Sequence, residues 1–402
     1  GASTIHWNRN LLTRLVFATL HPFLNDRVFQ RRRPALAENP AQLCGVLALA
    51  AGAVLAIALR FILPQPAFRS PRMRREIVLF KPECEIAWTL SAGQPRLAWI
   101  LTGGLVLRLA WLACVQPSPV SDFLHYQVLA ENLLDHHQFG YPAPTAYRLP
   151  LFPAFLAGVM LISRQTVTLA LACVALSTLL IALVHRLTLR ATRGHQRAAL
   201  IAAAMCAANP AFVCFSPVLA SEHLFAVLVG LSLIVAMRES TGAGWKSLLS
   251  GGLLGLAALT RGEAIFYAPV VAAAAGMGEP LLRKRGACVA MCALAFGLTL
   301  APWVLRNRAM VGEGVGLSSA SGINLYLAHN PNGYGWRELD ETPLRGLDAK
   351  AAHQVGMRLA FEHIRHDPQQ LLQNFVTGLV ALLRPANYGL FWSTGWSPGS
   401  AA

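Results

Sequence analysis

The sequence predicts an all-α, polytopic transmembrane protein of about eight spans with a large first outer loop, given that one span takes roughly 20 apolar residues. Three observations predict it. Hydrophobic residues make up 55% of the 402-residue chain and charged residues only 13%, about half the charge of an ordinary soluble domain. The mean hydropathy is +0.47. The apolar residues gather into long windows, and the basic residues gather between them.

Residues 1–41 are basic and partly amphipathic, a composition suited to a membrane surface. Residues 42–63 form the first credible span, and the Pro- and Arg-rich 64–97 reads as a linker. Further windows follow at 98–115, 166–189, 198–215, 223–237, 247–259, 263–277 and 287–304, and a last one starts near Leu371. Residues 150–162 are apolar but too short to span, so they read as interfacial or re-entrant. Three regions result: 1–97 with one candidate membrane helix, a transmembrane core over 98–310, and 311–402 with an outer loop, an interfacial helix and a C-terminal span. Residues 11–20 are short, carry Arg14 and lack a small-residue cleavage site, so no cleavable signal peptide is read there.

The formal charge of +15 does not indicate a nucleic-acid binder. Its arginines sit in short blocks between apolar windows, at 31–33, 72–75, 190–197 and 283–285, with no basic face bearing aromatic platforms. Their asymmetry gives an orientation. Arg186, Arg190, Arg193, Arg197, Arg238, Lys246, Arg283, Lys284 and Arg285 fall in one set of loops; the other set has only Arg148, Arg164, Arg261, Arg306 and Arg308. The positive-inside rule places the first set in the cytoplasm. Residues 116–149, 216–222 and 260–263, with everything just after Trp303, then face outward. This orientation puts 64–97 inside and leaves the window 42–63 either re-entrant or part of an accessory segment. The eight cysteines are scattered without a CxxC pair, which supports neither a disulfide framework nor a zinc site.

Four polar clusters fall on the outer face, each at a helix end: Ser121-Asp122-Phe123-Leu124-His125-Tyr126, Ser221-Glu222-His223, Thr260-Arg261-Gly262-Glu263 and Pro302-Trp303-Val304-Leu305-Arg306-Asn307. Ionisable groups at membrane depth are costly and point to function. Each also has a structural reading. Asp122 can cap a helix, Glu222 can favour a helix's positive end, and Arg261 and Arg306 can snorkel to lipid phosphates. The joint pattern carries the functional reading.

In order along the chain stand SDFLHYQVLAENLLDHHQFGYP, YRLPLFPAFLAG, NPAFVCFSPVLASEHLFAVL, GGLLGLAALTRGEAIFYAP, APWVLRNRAMVG and SSASGINLYLAHNPNGYG. Across roughly residues 98–335 this series resembles the polyprenyl-phosphate-sugar-dependent glycosyltransferases of the GT-C fold, in the protein O-mannosyltransferase-like and aminoarabinose-transferase-like branch. Members often carry a second acid directly after the first-loop Asp; here Phe123 stands there. The resemblance implies a multi-pass enzyme of the cell inner membrane whose site faces the periplasm or outside. It would take a polyprenyl-phosphate sugar as donor and a lipid, polysaccharide or protein hydroxyl as acceptor.

By resemblance, Asp122 is the general base or orients the acceptor. Arg261, Arg306 and Arg148 hold the leaving phosphate, whose developing charge needs fixed cations. Glu222, His125, Tyr126, Asn307, Asn324 and Asn330 orient the substrates, the last two from an Asn-rich loop over 322–335. The apolar 150–162 floors the groove for the lipid tail. Arg108 lies mid-span and must face a polar cavity or a partner. Asp122, His125 and Glu222 could converge on a metal, but no ligand spacing demands one, and none is predicted. The rival readings are a multi-pass transporter and a non-catalytic envelope-assembly protein.

Overall fold

A computed structural model of the chain describes residues 95–115, 119–141, 143–237, 244–277, 279, 281–329, 342–383 and 392–393. The readings made on residues 1–94 and on Asn330 lie outside them. The described chain is helical but for one two-residue ladder. Its elements are α1 (Pro95–Val115), α2 (Asp122–Asp135), β1 (Gly140–Tyr141), β2 (Ala143–Pro144), α3 (Leu151–Met160), α4 (Thr166–Ala191), α5 (Gln196–Ala208), α6 (Pro210–Phe215), α7 (Ser221–Ala236) and α8 (Gly244–Thr260). After the 3-10 turns at Gly262–Tyr267 come α9 (Ala268–Met277), α10 (Leu282–Met310) and α11 (Ala320–His329). A short 3-10 turn at Thr342–Leu344 precedes α12 (Ala349–His366) and α13 (Pro368–Leu383).

Three of these helices, α1, α4 and α10, are long and apolar enough to cross a membrane. Their burial separates centre from rim: 56% of the apolar window of α4 is buried, against 17% for α1 and α10. The rim helices turn Trp99, Val106, Leu294, Leu298 and Leu305 outward, where only an apolar solvent suits them. Helix α13, described over 16 residues, is apolar along Leu371, Leu372, Phe375, Val376 and Leu379.

Small residues and hydroxyls make the close contacts, as expected where lipid removes the hydrophobic drive between helices. Gly251 and Gly255, four apart on α8, face α10; a Cβ on Gly251 would strike the Cys292 carbonyl, and one on Gly255 would lie 2.6 Å from Thr299 Cβ. Ser232 on α7 donates to the Ser250 carbonyl at 2.8 Å, and Ser250 returns a bond to the Ser232 carbonyl at 3.0 Å.

The window 198–215 is two helices rather than one. Pro210 lacks an N–H and cannot continue α5; Asn209 caps α6 by accepting from the Ala211 amide at 2.9 Å. Arg108 explains how the break survives inside the bundle. Fully buried, it donates Nη1 to the Ala207 carbonyl at 3.2 Å and Nη2 to the Cys206 carbonyl at 3.4 Å. Those are carbonyls that the end of α5 leaves unpaired. Its Nε reaches Ser177 Oγ at 2.9 Å.

Two further expectations change. Residues 320–329 are helix, not an Asn-rich loop: Ile323, Tyr326 and Leu327 repeat at helical spacing and pack with Leu344, Leu359 and Ala360. Gly322 and Gly356 let α11 and α12 approach backbone to backbone. Helix α3 has the shortness expected of a re-entrant segment, but Leu151, Phe152, Ala154 and Leu156 are fully buried. It fills the core under α2.

Candidate functional site

The start of α2, the start of α7 and the end of α8 are joined by side-chain contacts, and the end of α10 reaches the ladder loop beside them. Helix α2 places the first acid. Its face Phe123, Tyr126, Ala130 and Leu133 is buried, and Tyr126 packs edge-on against Phe152 of α3 at 5.1 Å. Asp122 is the first helical residue, so its carboxylate sits at the helix's positive end. The residue before it, Ser121, has φ 53°, a costly conformation for a residue other than glycine.

Asp122 forms an ion pair with Arg148, the acid side chain 50% exposed and the arginine 16%. The Arg148 guanidinium also lies 4.7 Å from the Tyr147 ring centre and 5.6 Å from that of Tyr126. Its Nε is buried and has no hydrogen-bond partner among the described residues.

Tyr126 connects this pair to a second one. Its hydroxyl lies 3.2 Å from Ser221 Oγ. Burial, first of all, raises its pKa above the ordinary phenol value, so the hydroxyl keeps its proton. Ser221 is fully buried and donates toward Glu222 Oε2 at 3.5 Å. Its oxygen is then left to accept from Tyr126 and from Arg261 Nη1 at 3.4 Å. Arg261 binds Glu222 through Nη1 at 2.5 Å and Glu263 through Nη2 at 3.1 Å. Burial works against the Arg261 charge, but Glu222 and then Glu263 outweigh it, and the guanidinium is held above its ordinary pKa.

Arg306 is bonded to the ladder loop. Nη1 donates to the Thr145 carbonyl at 2.6 Å and to Asn307 Oδ1 at 3.1 Å, and Nη2 donates to the Phe139 carbonyl at 2.9 Å. Asn307 is fully buried and donates to the Gly316 carbonyl at 2.9 Å. His125 is exposed; its carbonyl accepts from the Tyr141 hydroxyl at 2.9 Å. Asn324 lies exposed on α11. Among the described residues no three His, Cys, Asp or Glu side chains are grouped to hold a metal.

No family model, curated protein or solved structure matches the chain.

The structure thus joins Asp122, Arg148, Tyr126, Glu222 and Arg261 in one network and puts Arg306 and Asn307 beside it. It adds two residues that the sequence did not single out. Ser221 lies in the second polar cluster, but its place between Tyr126 and Arg261 follows from how α2 and α7 pack, 95 positions apart in the chain. Tyr147, adjacent to Arg148, carried a signal only as an aromatic beside a lone outer arginine.

Proposed function

We propose that this chain is a membrane glycosyltransferase of GT-C type with about eight spans, acting on the outer face of the cell inner membrane. One observation carries the reading: four distant segments supply two arginine–carboxylate pairs, and Tyr126 and Ser221 link the pairs into a single network. A transfer site needs a base for the acceptor and cations for the departing phosphate, side by side.

In this reading Asp122, half exposed, accepts the proton of the acceptor hydroxyl. The hydroxyl oxygen bonds to the anomeric carbon. The bond from that carbon to phosphate oxygen breaks, and polyprenyl phosphate leaves with the electron pair. Arg261 and Arg148 stabilise it. Both are guanidinium forks already facing anions. Glu222 and Glu263 hold Arg261 until the phosphate takes their place.

The test is mass analysis of envelope glycans and glycolipids from cells with the gene, without it, and complemented. The proposal expects one glycoform to vanish on deletion, to return with the parent gene and to stay absent with Asp122→Asn. An unchanged glycan profile on deletion counts against it.

A further inference from the structure

The C-terminal turns of α10 gather two loops. Arg306 bonds the carbonyls of Phe139 and Thr145, either end of the ladder loop, and the Thr145 amide itself bonds the Phe139 carbonyl at 3.1 Å. The rings of Phe139 and Trp303 flank the guanidinium at 5.8 and 4.9 Å. Trp303 Nε1 donates to the Leu317 carbonyl at 2.9 Å, and Asn307 holds Gly316. The second loop closes on the first: the Ser319 amide bonds the Ala146 carbonyl at 3.0 Å, and Ser318 Oγ bonds the Tyr147 carbonyl at 2.9 Å. Three consecutive carbonyls, at 145, 146 and 147, are therefore fixed directly before Arg148. Fixing them fixes the Arg148 backbone, and with it the reach of the guanidinium to Asp122.

We infer that Arg306 is a positioning residue: it clamps the ladder loop so that Arg148 stands against Asp122, and it is not itself a ligand of the donor phosphate. A phosphate taken by Arg306 would compete with the carbonyls that hold the loop. The inference deepens the transfer reading and rests on it for its kinetic arm only.

The kinetic arm compares the parent with Arg306→Gln, Arg306→Lys, Arg148→Ala and Arg148→Ala/Arg306→Gln. A misplaced group costs on the order of 10–10²-fold, so Arg306→Gln lowers kcat by that much and leaves the donor KM within about twofold. Arg306→Lys, with one donor head in place of the fork, falls between Gln and parent. On the Arg148→Ala background Arg306→Gln costs nothing more, because residues acting through one another are not additive. The second arm needs no activity. Phenylglyoxal modification of Arg148, located by mass spectrometry, becomes faster in Arg306→Gln, while that of the exposed Arg164 does not change. Additive losses, or a raised donor KM at unchanged kcat, overturn the inference. So does unaltered Arg148 modification. Were the parent to transfer nothing, the transfer reading would fail and the phenylglyoxal arm would still decide the clamp.

Discussion

Arg108 and Arg261 are both partnered arginines in one apolar bundle, and their partners differ in kind. Arg108 is fully buried and bonded to the carbonyls of Gly104, Cys206 and Ala207 and to Ser177. The Arg261 side chain is 30% exposed, and its partners are two carboxylates and a hydroxyl. Carbonyls at a helix end cannot leave without breaking the helix break they stabilise. Carboxylates on side chains can swing aside for another anion. A charge at bilayer depth is therefore not by itself a sign of chemistry; the exchangeability of its partners is. Arg306 shares with Arg108 its bonds to backbone carbonyls, and Arg148 shares with Arg261 a bond to a carboxylate.

The largest expected effect is at the acid beside Arg148. Asp122→Asn keeps the shape, removes a base, and should lower sugar transfer at least about 10²-fold with the protein still folded. Equal turnover would leave Asp122 a structural partner of Arg148 and move the search to Glu222. At Arg261, Ala should lower kcat/KM for the donor by roughly 10–10²-fold, the weight of charged hydrogen bonds. Lys should recover part of it, having charge without the fork. Equal, near-normal values for both would return Arg261 to snorkelling.

Arg108 should behave in the opposite way. Arg108→Met strands the carbonyls of Cys206 and Ala207, at about 1–3 kcal/mol per unsatisfied buried group. Thermal melts in detergent should fall, and transfer per folded molecule should hold. A selective loss of transfer at unchanged stability would place Arg108 in the mechanism. The smallest expected effect is at Gly251. Ala there must push α8 off the Cys292 carbonyl and should cost about 1–3 kcal/mol, as overpacking does, again with no change in transfer per folded molecule.

The same distinction shows what the sequence could and could not tell. The windows 98–115 and 166–189 lie within α1 and α4 to within a few residues, because apolar runs report directly on helices of this kind. The window 287–304 fell short of α10 at both ends. Its helix runs on through Arg283, Lys284, Arg285, Arg306 and Arg308, which a hydropathy window excludes although the backbone does not. The Asn209-Pro210 break was visible as two residues but not as a break in a continuous apolar run. For the site, loop asymmetry and helix-end polarity brought Asp122, Glu222, Arg261 and Arg306 to one end, and contacts there link the first three. Nothing in the sequence could divide the arginines by partner. That Arg306 meets the Thr145 carbonyl depends on a contact 161 positions away.

In the proposed function, the network around Asp122 and Arg261 transfers sugar from a lipid phosphate. The most direct test of this uses the purified chain in sealed vesicles, with a radiolabelled sugar on polyprenyl phosphate and a hydroxyl acceptor supplied from the side of Glu222. That side is established by labelling Glu222→Cys with an impermeant thiol reagent. The account predicts label on the acceptor, an equal yield of free polyprenyl phosphate, and loss of both with Asp122→Asn. Label crossing the membrane with no polyprenyl phosphate released, or equal release by parent and Asp122→Asn, would contradict it.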